Sequence, residues 1–122
     1  MSTHPNAIMQ LTLQPQDLPR KTMRAILTDA GRDPDEDSPS LDLGGEYDYH
    51  VKLMENAYDE DSQIAAPEGS IVLHGFLTYG YSDKLEWSKV AAQYEKLKAW
   101  ADAVCEKHHC TIHEIAITAN YW

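Results

Sequence analysis

The spacing of hydrophobic residues switches between two repeats along this chain, and the order of those switches limits the folds that it can form. Residues 7–14 (AIMQLTLQ) place apolar side chains at every second position, which indicates a strand. Residues 18–30 repeat them at helical spacing, after Asp17 as a predicted N-cap and before Gly31 as a natural end point. The chain therefore begins with a predicted strand and a predicted helix.

Two more strands, a long helix and a final strand follow in the pattern. Residues 46–54 (EYDYHVKLM) alternate as a half-buried strand, and residues 70–80 (SIVLHGFLTYG) are apolar on both faces, as in a central strand. Residues 82–109 carry an apolar helical stripe, and residues 111–122 (TIHEIAITANYW) return to a period of two. The stripe places three large aromatic side chains in the predicted core: Trp87, Tyr94 and Trp100.

The resulting order, βαββαβ, predicts an α+β domain with the ferredoxin-like arrangement. Two helices would cover one face of a four-stranded antiparallel sheet, and the other face would stay partly open. The strand at 46–54 would then lie at one edge of the sheet. A length of 122 residues fits one domain over residues 1–122, with acidic loops at 32–46 and 55–69.

The net charge of −10 is concentrated in one segment. Residues 29–61 hold twelve of the twenty acids but only Arg32 and Lys52 among the ten basic residues, so the rest of the chain is balanced. In the predicted fold this segment forms one negative stripe of roughly 30 Å along the sheet edge. Such a field attracts a basic partner and repels phosphate backbones, and tyrosine is enriched at interface hot spots. The predicted partner-binding residues are Asp33, Asp35, Glu36, Asp37, Asp42, Glu46, Asp48, Tyr58, Asp59, Glu60 and Asp61.

The acidic segment has two simpler interpretations besides partner binding, an edge guard and a calcium loop. Charges along an edge strand protect it from unwanted strand addition, so the acids can serve as a guard. Asp33, Asp35 and Asp37 also begin like an EF-hand calcium loop. The sixth position of that loop is Ser38 instead of glycine, and the twelfth is Gly44 instead of a bidentate glutamate. Calcium binding is therefore not predicted.

A group of cysteine and histidine side chains surrounds the predicted end of the second helix. Cys105, His108, His109, Cys110 and His113 are all zinc-ligand types, but they straddle one helix-to-strand junction instead of forming two separated pairs. Capping and core roles are the simpler expectation, because cationic side chains favour the last turn of a helix. Two cysteines are also too few for a disulfide framework, so buried free thiols are expected.

A second group of candidate ligands depends on how the predicted second and third strands pair. If their connection is symmetric about residue 62, His50 lies opposite His74 on the open face, with Asp48 close by. Two imidazoles and a carboxylate can hold a metal with open coordination positions. The alternative function is thus a small metal-binding or metal-dependent enzyme domain. Outside this alternative, no metal or cofactor is predicted.

Motifs of well-known enzyme classes are missing from the sequence, which contains no GxSxG, phosphate loop, GxGxxG or HExxH. The chain is therefore not predicted to be an enzyme.

The element order resembles that of RNA-recognition domains, and residues 74–79 (HGFLTY) share a Gly-Phe pair with their central-strand motif. However, Leu77 and Thr78 occupy positions where that motif has a small residue and an aromatic, and the charge is negative. Direct nucleic-acid binding is not predicted.

The expected location is the cytoplasm, without membrane contact. The opening residues MSTHPNAIMQLTL lack the basic start and long apolar run of a signal peptide. No stretch approaches the roughly 18 apolar residues that a membrane span needs.

These patterns favour a non-enzymatic acidic binding protein or inhibitor. It would present a negative edge, residues 29–61, to a basic protein such as a nuclease or another nucleic-acid-binding complex. Phage DNA-mimic proteins that block restriction or CRISPR nucleases share this charge and size, although no motif here identifies that class. A further alternative is a homodimeric structural domain that pairs through Met54, Val72 and Phe76 on the open face.

Overall fold

The computed structural model describes residues 5–44, 47–78 and 84–121. This part of the chain is an α+β fold with two helices, a five-stranded antiparallel sheet and a two-stranded sheet. Its elements are β1 (Pro5–Pro15), α1 (Pro19–Asp29), β2 (Ser40–Asp42), β3 (Asp48–Leu53), β4 (Tyr58–Asp59), β5 (Ile64–Ala65), β6 (Ile71–Phe76), α2 (Trp87–His108) and β7 (Cys110–Tyr121).

The larger sheet has the strand order β2-β3-β6-β1-β7. The predicted four-stranded ferredoxin-like sheet is wrong, because β2 pairs with β3 as a fifth strand and β4 pairs with β5 in a separate sheet. Strand β3 is consequently an interior strand, and the two edges of the described sheet are β2 and β7. Strands of two or three residues carry too little alternation to be recognised in a sequence.

Strand β1 is buried on both of its faces. Leu11 and Leu13 are 0% exposed and belong to the main core, while Gln10 and Thr12 on the other face are 1% and 0% exposed. The Gln10 side-chain amide donates to the Thr12 hydroxyl and to the Ala65 carbonyl oxygen, both at 3.1 Å. The period-two pattern was correct, but its polar positions face another part of the protein instead of water.

Both helices contribute to the main core on the Leu11 side of the sheet. Helix α1 supplies Ile26 and Leu27, and α2 supplies Leu97 and Ala101 among its buried residues. The predicted boundaries differ at both starts. The N-cap of α1 is residue 18 without a side-chain cap bond, so the predicted Asp17 cap is wrong. Helix α2 begins at Trp87, so residues 84–86 are outside the helix, and the predicted start at residues 82–83 lies outside the described residues.

The other face of the sheet is covered by residues 54–66, which we call the cross-face hairpin. Met54, Ile64, Ala66 and Val72 form a second buried cluster between this hairpin and the sheet. The predicted partly open face is therefore wrong at this position. Met54 and Val72 are 1% and 0% exposed and are not available for the predicted homodimer contact, whereas Phe76 is half-buried.

Tyr49 connects the sheet to α2 through a buried hydrogen bond. Its side chain is 1% exposed, and its hydroxyl donates to the side-chain oxygen of Gln93 at 3.0 Å. Burial raises the pKa of Tyr49 to about 12.

The Tyr49 ring also requires a glycine at residue 75 of β6. A Cβ at Gly75 would lie 3.0 Å from the Tyr49 ring and 2.9 Å from the Asp48 carbonyl oxygen.

Replacing Tyr49 with phenylalanine is expected to destabilise the protein by about 1–3 kcal/mol, because the buried Gln93 oxygen loses its donor. Urea denaturation measures the change in the free energy of unfolding. Tyr58→Phe is the matched control, since Tyr58 is 53% exposed and should lose little. Equal denaturation midpoints for Tyr49→Phe and the unmodified protein would contradict this role for the hydroxyl.

Candidate binding surface at the acidic edge

The structure separates the predicted acidic stripe into two surfaces. Residues 33–48 run through the loop before β2, through β2 itself and into β3, and we call the described acids of this range the acidic edge. Residues 55–61 instead belong to the cross-face hairpin. Within its turn, the Gln63 side chain donates to the Tyr121 carbonyl oxygen at 2.7 Å and accepts from the Tyr121 amide at 2.9 Å. The hairpin thus turns toward β7 and away from the β2 edge.

Five acids of residues 29–61 have a basic partner. Several of these partners come from α1 and α2, outside the acidic segment, so the local charge is less negative than the sequence indicates. Exposed ion pairs of this kind contribute only about 0–1 kcal/mol each to stability. The pairs are Arg24–Asp35, Arg32–Glu36 at 2.7 Å, Arg20–Glu55 at 3.9 Å, Lys52–Asp59 at 3.0 Å and Lys107–Asp29 at 2.9 Å, with His108 also 2.6 Å from Asp29.

The pKa values of two of these carboxyls follow from their partners. Hydrogen bonding by the Arg24 guanidinium lowers the pKa of Asp35, and hydrogen bonds from Lys107 and His108 lower the pKa of Asp29. Both acids stay ionised while part of their charge is cancelled. They are therefore poor candidates for attracting a partner from solution.

Among the described acids of residues 29–61, six have no basic partner within the described residues. Asp33 turns inward on its own loop, where it accepts from the Asp35 amide at 2.9 Å. Glu46 is a predicted site residue that lies outside the described residues, and Tyr58 is exposed on β4. The six acids are Asp33, Asp37, Asp42, Asp48, Glu60 and Asp61.

Two of these acids face each other across the edge of the sheet. Asp42 on β2 is the direct antiparallel partner of Asp48 on β3, so both exposed carboxylates lie on the same face. Asp42 also accepts from the Gly44 amide at 2.8 Å. Like charges in directly opposed positions destabilise a strand pair by up to about 1 kcal/mol. The fold therefore carries a local cost at this position, and among the described residues no cation pairs with either carboxylate.

The predicted pairing of His50 with His74 is confirmed. They are partners in the β3–β6 ladder, and their ring centroids are 5.4 Å apart. The Nδ1 atom of His74 is buried and has no hydrogen-bond partner. Among the described residues, however, no three histidine, cysteine or acidic side chains are grouped so that they can hold a metal. Asp48 thus does not complete a metal site with the two histidines.

The side chains around the end of α2 have separate roles. His109 is the C-cap of the helix, in the left-handed conformation at φ 54°, in agreement with the expected capping role. His108 lies in the last turn, but its ring binds the Asp29 carboxylate at the end of α1 instead of a helix carbonyl. Cys105 and Cys110 are free thiols whose sulfur atoms lie 3.0 Å apart. Burial raises the pKa of Cys105 to about 12, so this thiol is not an activated nucleophile. His113 is exposed on β7.

Sequence reasoning missed the exposure of two aromatic side chains on α2. Trp87 is 73% exposed and Tyr94 is 38% exposed, so their predicted core positions are wrong, whereas Trp100 does pack against the core. The helical stripe is wider than the face that the sheet covers. Neither described helix is long and apolar enough to cross a membrane.

Comparisons with protein-family models, with curated proteins and with solved structures found no match for this chain. The function is therefore argued from the surface alone.

The buried His74 is expected to make stability depend on pH. Burial, followed by the charges of His50 and Lys52, lowers the pKa of His74 from 6.5 to about 4. Between these values the unfolded chain binds a proton that the folded chain does not, so stability should fall as the pH falls from 6.5 to 4. The slope contributed by this side chain is at most about 1.4 kcal/mol per pH unit.

Urea denaturation of His74→Gln across this pH range measures the contribution as a loss of slope relative to the unmodified protein. His113→Gln removes an exposed histidine and should leave the slope unchanged. Parallel pH profiles for His74→Gln and the unmodified protein would show that His74 does not titrate as described.

Proposed function

We propose that this protein is a non-enzymatic binding protein that inhibits a basic, nucleic-acid-binding protein through its acidic edge. The observation that carries the proposal is the opposed Asp42–Asp48 pair. Two carboxylates are placed at the sheet edge against their mutual repulsion, while five other acids are each supplied with a cation. A partner that brings arginine or lysine to this pair would remove the repulsion and gain charge-assisted hydrogen bonds.

A purely protective role for these acids explains them less well. Short edge strands already resist strand addition, and β2 has only three residues. Protection would be needed more at β7, which has twelve residues and only one acid, Glu114. The acids are therefore concentrated at the edge that needs them least as a guard.

The unpaired acids point to the chemical class of the partner. Asp37, Asp42 and Asp48 are exposed and close in sequence to β2, and none of them forms an ion pair within the described part of the chain. Lys96 of α2 donates instead to the Gly44 carbonyl oxygen at 3.0 Å. A protein surface that binds a phosphate backbone offers arginine and lysine side chains with the opposite charge. A nuclease or another nucleic-acid-binding complex fits this requirement, and the cytoplasm is the location that we propose for the encounter.

Replacing the unpaired acids should weaken partner binding while sparing the fold. We expect Asp37→Asn, Asp42→Asn and Asp48→Asn together to lower affinity at least about tenfold, because a rim of charges steers and holds a basic partner. The stability of the variant should stay equal or rise by up to about 1 kcal/mol, since the opposed like charges are removed. Urea denaturation and binding are measured on the same preparation.

The matched control removes three charges elsewhere. The control variant combines Asp17→Asn, Glu95→Gln and Glu106→Gln, at exposed positions outside the acidic segment. It should bind as the unmodified protein does.

A tagged protein captures partners from lysate of its host at low salt, and the retained proteins are identified by mass spectrometry. Duplex DNA added to the washed complex should release the partner. Equal retention by both triple variants, or retention that DNA does not affect, contradicts the proposal.

A further inference from the structure

The second edge of the larger sheet differs in length and charge from the acidic edge. Strand β7 spans twelve residues and pairs with β1 along its length, and no described strand pairs with its outer side. The register shifts between Thr12 and Leu13, which leaves His113 as the extra residue of a bulge. Residues 114–120 beyond the bulge form a regular edge, and the amide and carbonyl oxygen of Tyr121 are already bonded by the Gln63 side chain. A long unpaired edge without lysine or proline invites strand addition.

An apolar groove of about 380 Å³ lies beside this edge, between β7 and α2. Its lining includes Trp87, Tyr94, Ile115 and Ile117, and no charged residue contributes to it. Trp87 is 73% exposed and Ile117 is 41% exposed. Tyr121, on the same face of β7 as Ile117, is 54% exposed. Unpaired backbone and exposed apolar side chains thus occur together on one side of the molecule.

We propose that β7 is the interface of a homodimer, in which two copies pair their β7 strands around a two-fold axis near Ile117. Two copies of one strand related by such an axis run antiparallel, which is the direction of every pairing in the larger sheet. The result is one continuous ten-stranded sheet. With the axis at Ile117, Glu114 lies opposite Asn120 of the other copy instead of opposite its own counterpart. Each copy's Trp87 and Tyr94 then flank the joined strands.

The distribution of charge favours a second copy as the occupant. A chain with a net charge of −10 resists self-association, but here the acidic edge lies at the opposite end of the strand order from β7. The acids of the cross-face hairpin lie nearer to β7, because Gln63 bonds Tyr121. With the axis at Ile117, the two copies of Tyr121 are eight residues apart along the joined strands, or roughly 26 Å. In a ten-stranded sheet with a spacing of about 4.8 Å, the two acidic edges are roughly 40 Å apart. That separation is several times the Debye length of about 8 Å at physiological salt. The uncharged groove also offers nothing that would select a basic partner.

The exposed aromatic side chains supply part of the area that a dimer requires. Large aromatic side chains carry about 150–250 Å² each, so the exposed parts of Trp87, Tyr94 and Tyr121 amount to roughly 300 Å² per copy. A standard interface buries about 800 Å² per partner. The remainder comes from the β7 backbone, Ile117 and the other walls of the groove. This proposal does not depend on the proposed function of the acidic edge.

Sedimentation velocity and light scattering of the purified full chain test the dimer. The expected mass is that of two 13.8 kDa chains. Ile117→Lys places a charge on the shared axis, opposite its own copy, and should weaken the dimer at least about 100-fold and yield a folded monomer. Leu18→Lys is the matched control, because Leu18 is 71% exposed and belongs to the segment before α1, and this variant should remain a dimer.

Hydrogen exchange separates strand pairing from contact through the groove alone. The amides of residues 114–120 should be protected in the unmodified protein, and the outward-facing ones among them should lose protection in Ile117→Lys. The amides of β6 and the Tyr121 amide, which is bonded to Gln63, should keep theirs. A monomer at every concentration, an Ile117→Lys variant that stays dimeric, or a dimer with unprotected outer β7 amides would overturn the proposal. The triple variant of Asp37, Asp42 and Asp48 should remain a dimer, so a failure of either proposal is recognised separately.

Discussion

The burial of β1 on both faces is the constraint on which the rest of this structure depends. Leu11 and Leu13 need the two helices on one side, and Gln10 and Thr12 need polar partners on the other. A buried amide without a hydrogen bond costs about 1–3 kcal/mol, so the cross-face hairpin supplies the Ala65 carbonyl oxygen to Gln10. The hairpin then carries its own acids across the sheet, and the remaining acids stay at the β2 edge.

The two edges of the sheet have opposite physical character as a result. The β2 edge is short, with the unneutralised Asp42–Asp48 pair beside it, and the β7 edge is long and nearly uncharged. Electrostatic attraction acts over a Debye length and favours a basic partner at the first edge. Backbone pairing and apolar contact act only at close range. At the β7 edge they favour the addition of another strand. One sheet thereby offers two surfaces that need not compete.

The sequence predicted the long elements because each has enough residues to show its period. It also predicted the His50–His74 register, since a connection with two symmetric arms places residues equally distant from its centre opposite each other. The three-residue β2 and the two-residue β4 and β5 lay below that threshold. Their omission led to the wrong strand count and to a face that was predicted as partly open. The exposure of Trp87 was missed because an apolar stripe does not reveal how much of it the sheet covers.

The concentration of charge in residues 29–61 and the alternation of long strands with two helices can be read directly from the sequence. Which acids keep their charge depends on the folded arrangement. Asp29 is neutralised by Lys107, from the other helix, and Asp35 by Arg24, whereas Asp42 faces Asp48 and neither pairs with a cation in the part of the chain that the structure describes. The physical reason is that Coulomb attraction depends on distance in space, and folding brings together side chains far apart in the sequence.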